Sequence, residues 1–329
     1  MKNKDKILDL LMNASTYISG EKMSQLIGIS RTAIWKNIKR LKEEGYQIDS
    51  VSNKGYRLIK EPNLLSKSQL LHALRAYGFT YVQLDEALDS TNLEAKRKAE
   101  QVAGNGCFVA REQTAGRGRR GRAWQSPKDS GCYVSLLLRL EIMPSEASMV
   151  TLIAGLALAK TLNRLYDVHA RIKWPNDLVI QGKKVAGILT EMSAEIDAIN
   201  YLVVGVGMNV SQESFPPELQ EKATSLILAC TSKKFTFDRF EYIQLFASEF
   251  MGAMDMFLKT KDLAFMQEEY EQLCLNVKGD IRIEGQSHSF TGIGKGITKY
   301  GELLVLNTQG ETIKVNSGEV SVRGIYGYV

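Results

Sequence analysis

The chain has 329 residues, 44% apolar and 24% charged, with 42 Lys and Arg against 37 Asp and Glu for a net charge of +5. At about 150 residues per domain that length holds two or three domains, and the composition excludes disordered, collagen-like and membrane classes. Residues 1–6 are charged rather than apolar, and no run approaches the roughly 18 uncharged residues of a membrane span, so a cytoplasmic protein is expected. The four cysteines, Cys107, Cys132, Cys230 and Cys274, form no C-x-x-C pair, which argues for buried thiols over a disulfide or zinc framework. The three histidines, His72, His169 and His288, have no Cys or carboxylate at ligand spacing.

Charge is unevenly placed. Residues 1–60 carry twelve basic and six acidic groups, a net of +6, so the other 269 residues sum to −1. Such a segment on a near-neutral body reads as a nucleic-acid module joined to something that does other work. Ile7, Leu8 and Leu11 mark a first short helix, and Ser19 precedes a second carrying Met23, Leu26 and Ile27. Gly28 breaks that helix. Ser30 can cap a third, running to about residue 44, with Ile34, Ile38 and Leu41 on one face. Its other face offers Arg31, Thr32, Lys36, Lys39 and Arg40 to a DNA major groove and its phosphates. Gly45 stops the helix, and residues 46–58 form a hairpin turning at Ser52-Asn53-Lys54-Gly55, with Lys54 and Arg57 available to DNA. The plainer alternative is a three-helix interaction module with a solvated basic face.

After Pro62, helix and strand patterns alternate, beginning with a helix over residues 64–77. In Asp89-Ser90-Thr91-Asn92-Leu93-Glu94, Thr91 and Glu94 fit a capping box for a helix reaching about residue 101, and a polar cap facing a cleft can also bind a neutral ligand. Residues 113–124 read Gln-Thr-Ala-Gly-Arg-Gly-Arg-Arg-Gly-Arg-Ala-Trp. Gly116 to Gly121 formally satisfies G-x-G-x-x-G. The dinucleotide reading is rejected, because four arginines fill the loop and no amphipathic helix follows. Three glycines instead make a mobile loop whose guanidiniums clamp a phosphate, and Trp124 offers a face to a nucleobase. A flexible basic loop touching RNA is the plainer alternative. A buried strand over residues 132–138 and a long core helix over residues 145–166 follow.

Arg171-Ile172-Lys173-Trp174-Pro175-Asn176-Asp177 is a strand interrupted by a turn. Lys173 can neutralise a carboxylate or phosphate, and Asp177 can hold Mg²⁺ or a supporting hydrogen bond, although W-P-N-D alone is also simply a good turn. In the strand over residues 183–191, Gly187 permits close approach by a ligand. Gly205 and Gly207, two apart in a strand ending at Asn209, leave a slot that suits a flat neutral ring, or else mark a bulge or tight packing. Beyond Phe237, two helices and five short strands (281–283, 290–293, 303–307, 312–315, 320–323) end in a small barrel.

Jointly, the winged helix, the G-R-G-R-R-G-R-x-W loop, K-W-P-N-D, K-x-A-G-I-L and G-x-G-x-N make the chain resemble, over essentially its whole length, the bacterial bifunctional biotin–protein ligases that also repress the biotin operon. The resemblance implies an α+β protein in three parts: a winged helix-turn-helix over 1–63, a class II synthetase-like α/β ligase domain over 64–273, and an SH3-like β-barrel over 274–329. It implies that biotin and Mg-ATP give biotinyl-5′-AMP and pyrophosphate, and that the acyl group then passes to one lysine of a biotin carboxyl carrier domain of acetyl-CoA carboxylase or pyruvate carboxylase. By position, Ser90, Thr91, Asn92 and Gln113 would bind the biotin head, with Arg117, Gly118, Gly187, Gly205 and Gly207 around it. Lys173 would contact the biotin carboxylate and α-phosphate, and Arg119 and Arg122 would close over the adenylate. Trp124, Asn176, Asn209 and Ser225 would lie by the nucleotide. Biotinyl-5′-AMP would also be corepressor, favouring a homodimer that presents two winged helices, with Ser30 among their DNA contacts, to a palindromic operator. A lipoate–protein ligase shares the chemistry but not the winged helix, and a catalytically inactive ligand sensor is the reading from another class.

Overall fold

The computed structural model describes residues 3–14, 16–43, 46–51, 54–60, 65–230, 235–285, 289–317 and 320–324. It divides into two compact units, residues 1–76 and 77–329.

In the first unit, α1 (Asn3–Met12), α2 (Gly20–Ile27) and α3 (Arg31–Glu43) precede the antiparallel hairpin β1 (Gln47–Val51) and β2 (Gly55–Lys60). Ser19 Oγ accepts from Lys22 N and Gly28 ends α2 at φ 78°, a left-handed position that glycine reaches without strain. Ser30 Oγ accepts from Ala33 N at 3.2 Å, so α3 starts one residue after the turn, as a helix-turn-helix requires. Ile7, Leu8, Leu11, Met23, Ile34, Ile38 and Leu41 pack with Tyr46 and Ile48 into the core. Of the expected wing turn, Ser52 and Asn53 lie outside the described residues, as does Gly45; Lys54 is exposed. The helix expected to open the second domain, α4 (Lys67–Arg75), belongs instead to this unit, with Arg75 Nη1 3.3 Å from Asp9 Oδ2 on α1. The division therefore falls after Ala76 rather than at residue 63, because α4 packs on α1.

The second unit holds a seven-stranded sheet made of β3 (Phe79–Asp85), β4 (Asn105–Ala110), β5 (Gly131–Leu138), β6 (Arg171–Lys173), β7 (Asp177–Ile180), β8 (Lys183–Ala194) and β9 (Ile199–Asn209), in the order β3-β4-β5-β9-β8-β7-β6. Only β3 and β4 run parallel; the other neighbours are antiparallel. α5 (Thr91–Lys98) packs on β4, β5 and β9, while α6 (Ala147–Tyr166) packs on β8 and β6. The period-two alternation of strands separates the two faces. Ser135, Gly205, Gly207 and Gly187 share the α5 face, and Ile188 and Thr190 meet α6, where Thr190 Oγ1 lies 2.8 Å from Thr151 Oγ1. The segment Pro144–Tyr166 is long and apolar enough to cross a membrane, but 67% of its apolar window is buried against the sheet and the later helices, as in a core helix. A short helix α7 (Leu226–Ala229) precedes α8 (Arg239–Thr260) and α9 (Gln267–Leu273). The five expected C-terminal strands are present: β10 (Asp280–Gly285), β11 (Ser289–Ile297), β12 (Leu303–Asn307), β13 (Thr312–Val315) and β14 (Val320–Gly324) form one antiparallel sheet, ordered β13-β12-β11-β10-β14.

On α8, Tyr242 is fully buried, its ring stacked at 7° on Phe246, and its hydroxyl has no hydrogen-bond partner among the described residues. Burial holds that phenol well above its usual titration range. A buried hydroxyl without a partner costs about 1 kcal/mol or more. Tyr242→Phe is therefore expected to raise Tm by about 2 °C in calorimetry; a fall of similar size would mean that the hydroxyl is bonded in solution.

Candidate functional site

The sequence motifs converge on one cavity of about 620 Å³ over the α5 face of the large sheet. Of the second-unit residues expected at the site, Ser90, Thr91, Asn92, Gln113, Arg117, Gly118, Arg119, Arg122, Trp124, Lys173, Asn176, Asp177, Gly187, Gly205, Gly207 and Asn209 line it. Ser225 does not.

The start of α5 supplies an uncharged polar group. The cap is Ser90 rather than Thr91, and the expected capping box does not form: Thr91 is the first helical residue, and its backbone N–H and hydroxyl donate to Gln113 Oε1 at 2.9 and 3.1 Å. The hydroxyl is used across the site instead of along its own helix. Gln113 Nε2 donates to Ser126 Oγ at 2.8 Å. Asn92 Nδ2 donates to Leu189 O and to Glu191 Oε2, and its Oδ1 accepts from Ser135 Oγ at 2.6 Å. Asn92, Thr91 and Ser90 are each under 5% exposed, so a ligand reaching them leaves water behind. Asp89 holds Ser90 N at 2.7 Å, and Arg97 keeps the Asp89 carboxyl below its ordinary pKa. Glu191 joins this group to the loop. Burial raises its pKa, but Asn92, Lys96 at 3.0 Å and Arg117 at 3.8 Å lower it further and leave it below the usual carboxylate value.

The register explains the glycines. Gly187 stands opposite Gly207, and Gly205 lies between Ser135 and Leu189. A Cβ on Gly205 would sit 2.0 Å from Asn92 Oδ1, and one on Gly207 would sit 2.5 Å from Trp124 Nε1. Asn92 stands beside Gly205 and the Trp124 indole beside Gly207, so the two glycines make room for side chains that line the cavity with them.

The arginine loop folds as a narrow hairpin. Trp124 N donates to Gly116 O at 2.9 Å and Gly118 N to Arg122 O at 2.7 Å. A 3₁₀ turn at Arg119–Gly121 sits at its tip, with Arg120 at φ 57°. A Cβ at Gly116 would meet Trp124 O at 2.3 Å, so close approach fixes that glycine. As expected, no helix follows the loop; β5 does. Arg119 Nη1 donates to Asn176 Oδ1 at 2.9 Å and Nη2 to the Ser317 carbonyl between β13 and β14. Burial lowers its pKa, yet a guanidinium remains charged.

W-P-N-D is a turn whose four residues line the cavity. It links β6 to β7, with a cis Trp174–Pro175 bond and Lys173 paired in register with Asp177. Trp174, 1% exposed, anchors the turn through N to Asn276 Oδ1 at 2.7 Å and Nε1 to Gly301 O at 3.1 Å. Asn176 Nδ2 donates to Ile188 O. The anchored turn holds Lys173, 5% exposed, against the cavity.

Sequence reasoning missed Lys184 and the segment 212–223. Lys184 Nζ lies 2.6 Å from Asp177 Oδ1 and 5.2 Å from the Trp124 ring centroid. The segment brings Phe215, Pro216, Leu219 and Lys222 to the cavity, and is tied to β8 by Lys184 N to Lys222 O at 2.8 Å and Thr224 N to Lys184 O at 2.9 Å. The adjacent lysines 183–184 in K-x-A-G-I-L were the available signal for the first; the second has no periodicity to read. Asn209 lines the cavity while its Nδ2 holds Thr224 O at 3.0 Å. Ser225 acts one step back, capping α7 and donating to Gln212 O at 2.6 Å.

Among the described lining residues, seven Lys or Arg face one carboxylate, Asp177. Such a surface suits a ligand with several negative charges. Asp177 is paired with Lys184, and no cluster of three His, Cys, Asp or Glu occurs among the described residues; a magnesium ion carried by ligand phosphates would need one or two carboxylates at most, and Asp177 is the carboxylate at hand.

Each part of the chain resembles known proteins. The Biotin/lipoate A/B protein ligase family matches residues 84–209, an HTH domain matches 3–57, and the Biotin protein ligase C terminal domain matches 281–323. The bifunctional ligase/repressor BirA of Bacillus spizizenii is 36% identical over 97% of this chain and 98% of its own, and that of Escherichia coli is 31% identical over 97% and 96%. The biotin protein ligase of Aquifex aeolicus in complex with biotin and ATP superposes with a TM-score of 0.63 at 29% identity, covering 75% of this chain and 98% of that one. The chain belongs to the family of bifunctional biotin–protein ligases and repressors.

Proposed function

We propose that the protein is a cytoplasmic biotin–[acetyl-CoA-carboxylase] ligase that converts biotin and ATP to biotinyl-5′-AMP and pyrophosphate, passes biotin to a carrier lysine, and, with the adenylate bound, represses transcription. One observation carries the enzymatic reading: a neutral hydrogen-bonding group at buried Thr91 and Asn92 and half-buried Gln113, backed by Ser135 behind the cavity wall, shares one cavity with seven cations. The neutral end matches a ureido ring, and the cationic wall matches a carboxylate beside a triphosphate.

In the first step a biotin carboxylate oxygen attacks the α-phosphorus, a P–O bond forms, and pyrophosphate leaves with the other bond's electrons. Both reactants are anionic, so the barrier includes their repulsion. Lys173, Lys184 and the loop arginines offset it with charges already held in place. In the second step the carrier lysine, as free amine, attacks the acyl carbon; AMP leaves and the amine proton passes to solvent or the departing phosphate. Until then Arg119, Arg122 and Trp124 cover the mixed anhydride and exclude water. Arg31, Thr32, Lys36, Lys39, Arg40 and Lys54 would contact the operator in a homodimer formed on adenylate binding.

The test is pyrophosphate release from Mg-ATP with biotin or lipoate, followed by mass analysis of an added biotin carboxyl carrier domain. Biotin-dependent release and one modified lysine are expected. Release with lipoate alone would make the protein a lipoate ligase, and release with neither would make it a sensor without catalysis. The neutral end has its own test. Gly205→Ala would expel Asn92 from its bonds and is expected to weaken biotin binding about 10- to 100-fold in titration calorimetry; unchanged affinity would remove Asn92 from the site.

A further inference from the structure

We propose that Trp35 reads DNA sequence directly, its indole lying in the major groove against the C5-methyl group of a thymine. The inference rests on the DNA-binding reading of the first unit. Helix α3 buries Ile34, Ile38 and Leu41, and an exposed flank beside that stripe carries Arg31, Trp35 and Lys39 at steps of four residues, hence in one row. Trp35 is 54% exposed and is the one aromatic among the large exposed apolar side chains described in residues 1–76. An exposed indole flanked by cations is costly in water and suits a surface that offers both anionic phosphates and apolar methyls, as the major groove does. Lys39 Nζ lies 6.0 Å from the ring centroid and 4.0 Å from Glu43 Oε1, so a cation able to meet a phosphate stands beside the ring. Trp35 is the fifth residue of α3, within the amino-terminal half that reaches base edges in helix-turn-helix proteins, and the left-handed Gly28 sets the turn that projects this half. Arg31, Lys36 and Lys39 then hold position on phosphates, which carry no sequence information, while Trp35 supplies discrimination.

The experiment uses the full chain with biotin and Mg-ATP, and a randomised duplex pool from which the wild-type protein selects its preferred sequence. Each thymine of that duplex is then replaced by uracil, which removes only the methyl group. Wild type is expected to lose about fourfold in affinity at one thymine of each half-site, the value of one buried methyl. Trp35→Ala should bind the selected duplex more weakly and be indifferent to uracil at that position, while Trp35→Phe keeps part of the discrimination. Lys39→Ala should weaken all sequences alike and reduce the log-log salt slope by about one. A Trp35→Ala protein that keeps wild-type sequence preference and uracil sensitivity would overturn the proposal. A wild-type protein that enriches no sequence would overturn the DNA-binding reading, and the proposal with it.

Discussion

Lys173→Met is expected to slow biotin-dependent pyrophosphate release by about 10²- to 10³-fold, the usual loss when one preorganised charge is removed from a reacting centre. Lys173 is 5% exposed at the end of β6, held by a turn whose Trp174 is anchored at both nitrogens. Methionine keeps much of the stem's volume and removes only the charge, so the fold should persist. The neutral group at Thr91, Gln113, Asn92 and Ser135 is separately bonded, so biotin affinity should change far less than turnover. Stopped-flow pyrophosphate release against biotin calorimetry separates the two. A rate within about threefold of wild type would transfer the charge-neutralising role to Lys184, which faces the same cavity.

Arg119→Gly is expected to leave adenylate formation largely intact and to shorten adenylate retention by about 100-fold, as when two charge-assisted hydrogen bonds are lost. Arg119 ties the loop to Asn176 and to the Ser317 carbonyl, so it spans the central and C-terminal parts of the second unit. With glycine the tip has no such tether, and the hairpin keeps only its own backbone bonds, Gly118 N to Arg122 O and Trp124 N to Gly116 O. The cover over the mixed anhydride then opens more often. The check is the decay of labelled adenylate on the enzyme after rapid dilution; wild-type retention in the variant would remove Arg119 from the cover.

Contiguous features were legible in the sequence. Ser30 as a cap, the apolar stripe of α3, the five C-terminal strands and the W-P-N-D turn each depend on residues within a few positions of one another. The glycines were legible as a demand for space, but not as to what fills it. The side chains beside them, Asn92 and Trp124, come from segments 113 and 83 positions before Gly205 and Gly207, and nothing local announces such a meeting. The same limit explains the other differences. Thr91 satisfies a local capping pattern, but Gln113 sits nearer and takes its hydroxyl. The helix α4 follows Pro62, a reasonable boundary, yet its partner is α1. Segment 212–223 is held at the cavity by backbone bonds from Lys222 and the adjoining Thr224 to Lys184, which side-chain periodicity does not encode.

The central claim, that one cavity both makes and keeps biotinyl-5′-AMP, is tested most directly by incubating the protein with biotin and Mg-ATP without any carrier, removing free ligand, and identifying what remains bound by mass spectrometry. The expected result is one equivalent of biotinyl-5′-AMP per chain, lost as AMP when a biotin carboxyl carrier domain is added and recovered as a single modified lysine on that domain. Retention of unreacted biotin and ATP alone, with no mixed anhydride formed, would contradict the account and leave the cavity a binding site without chemistry.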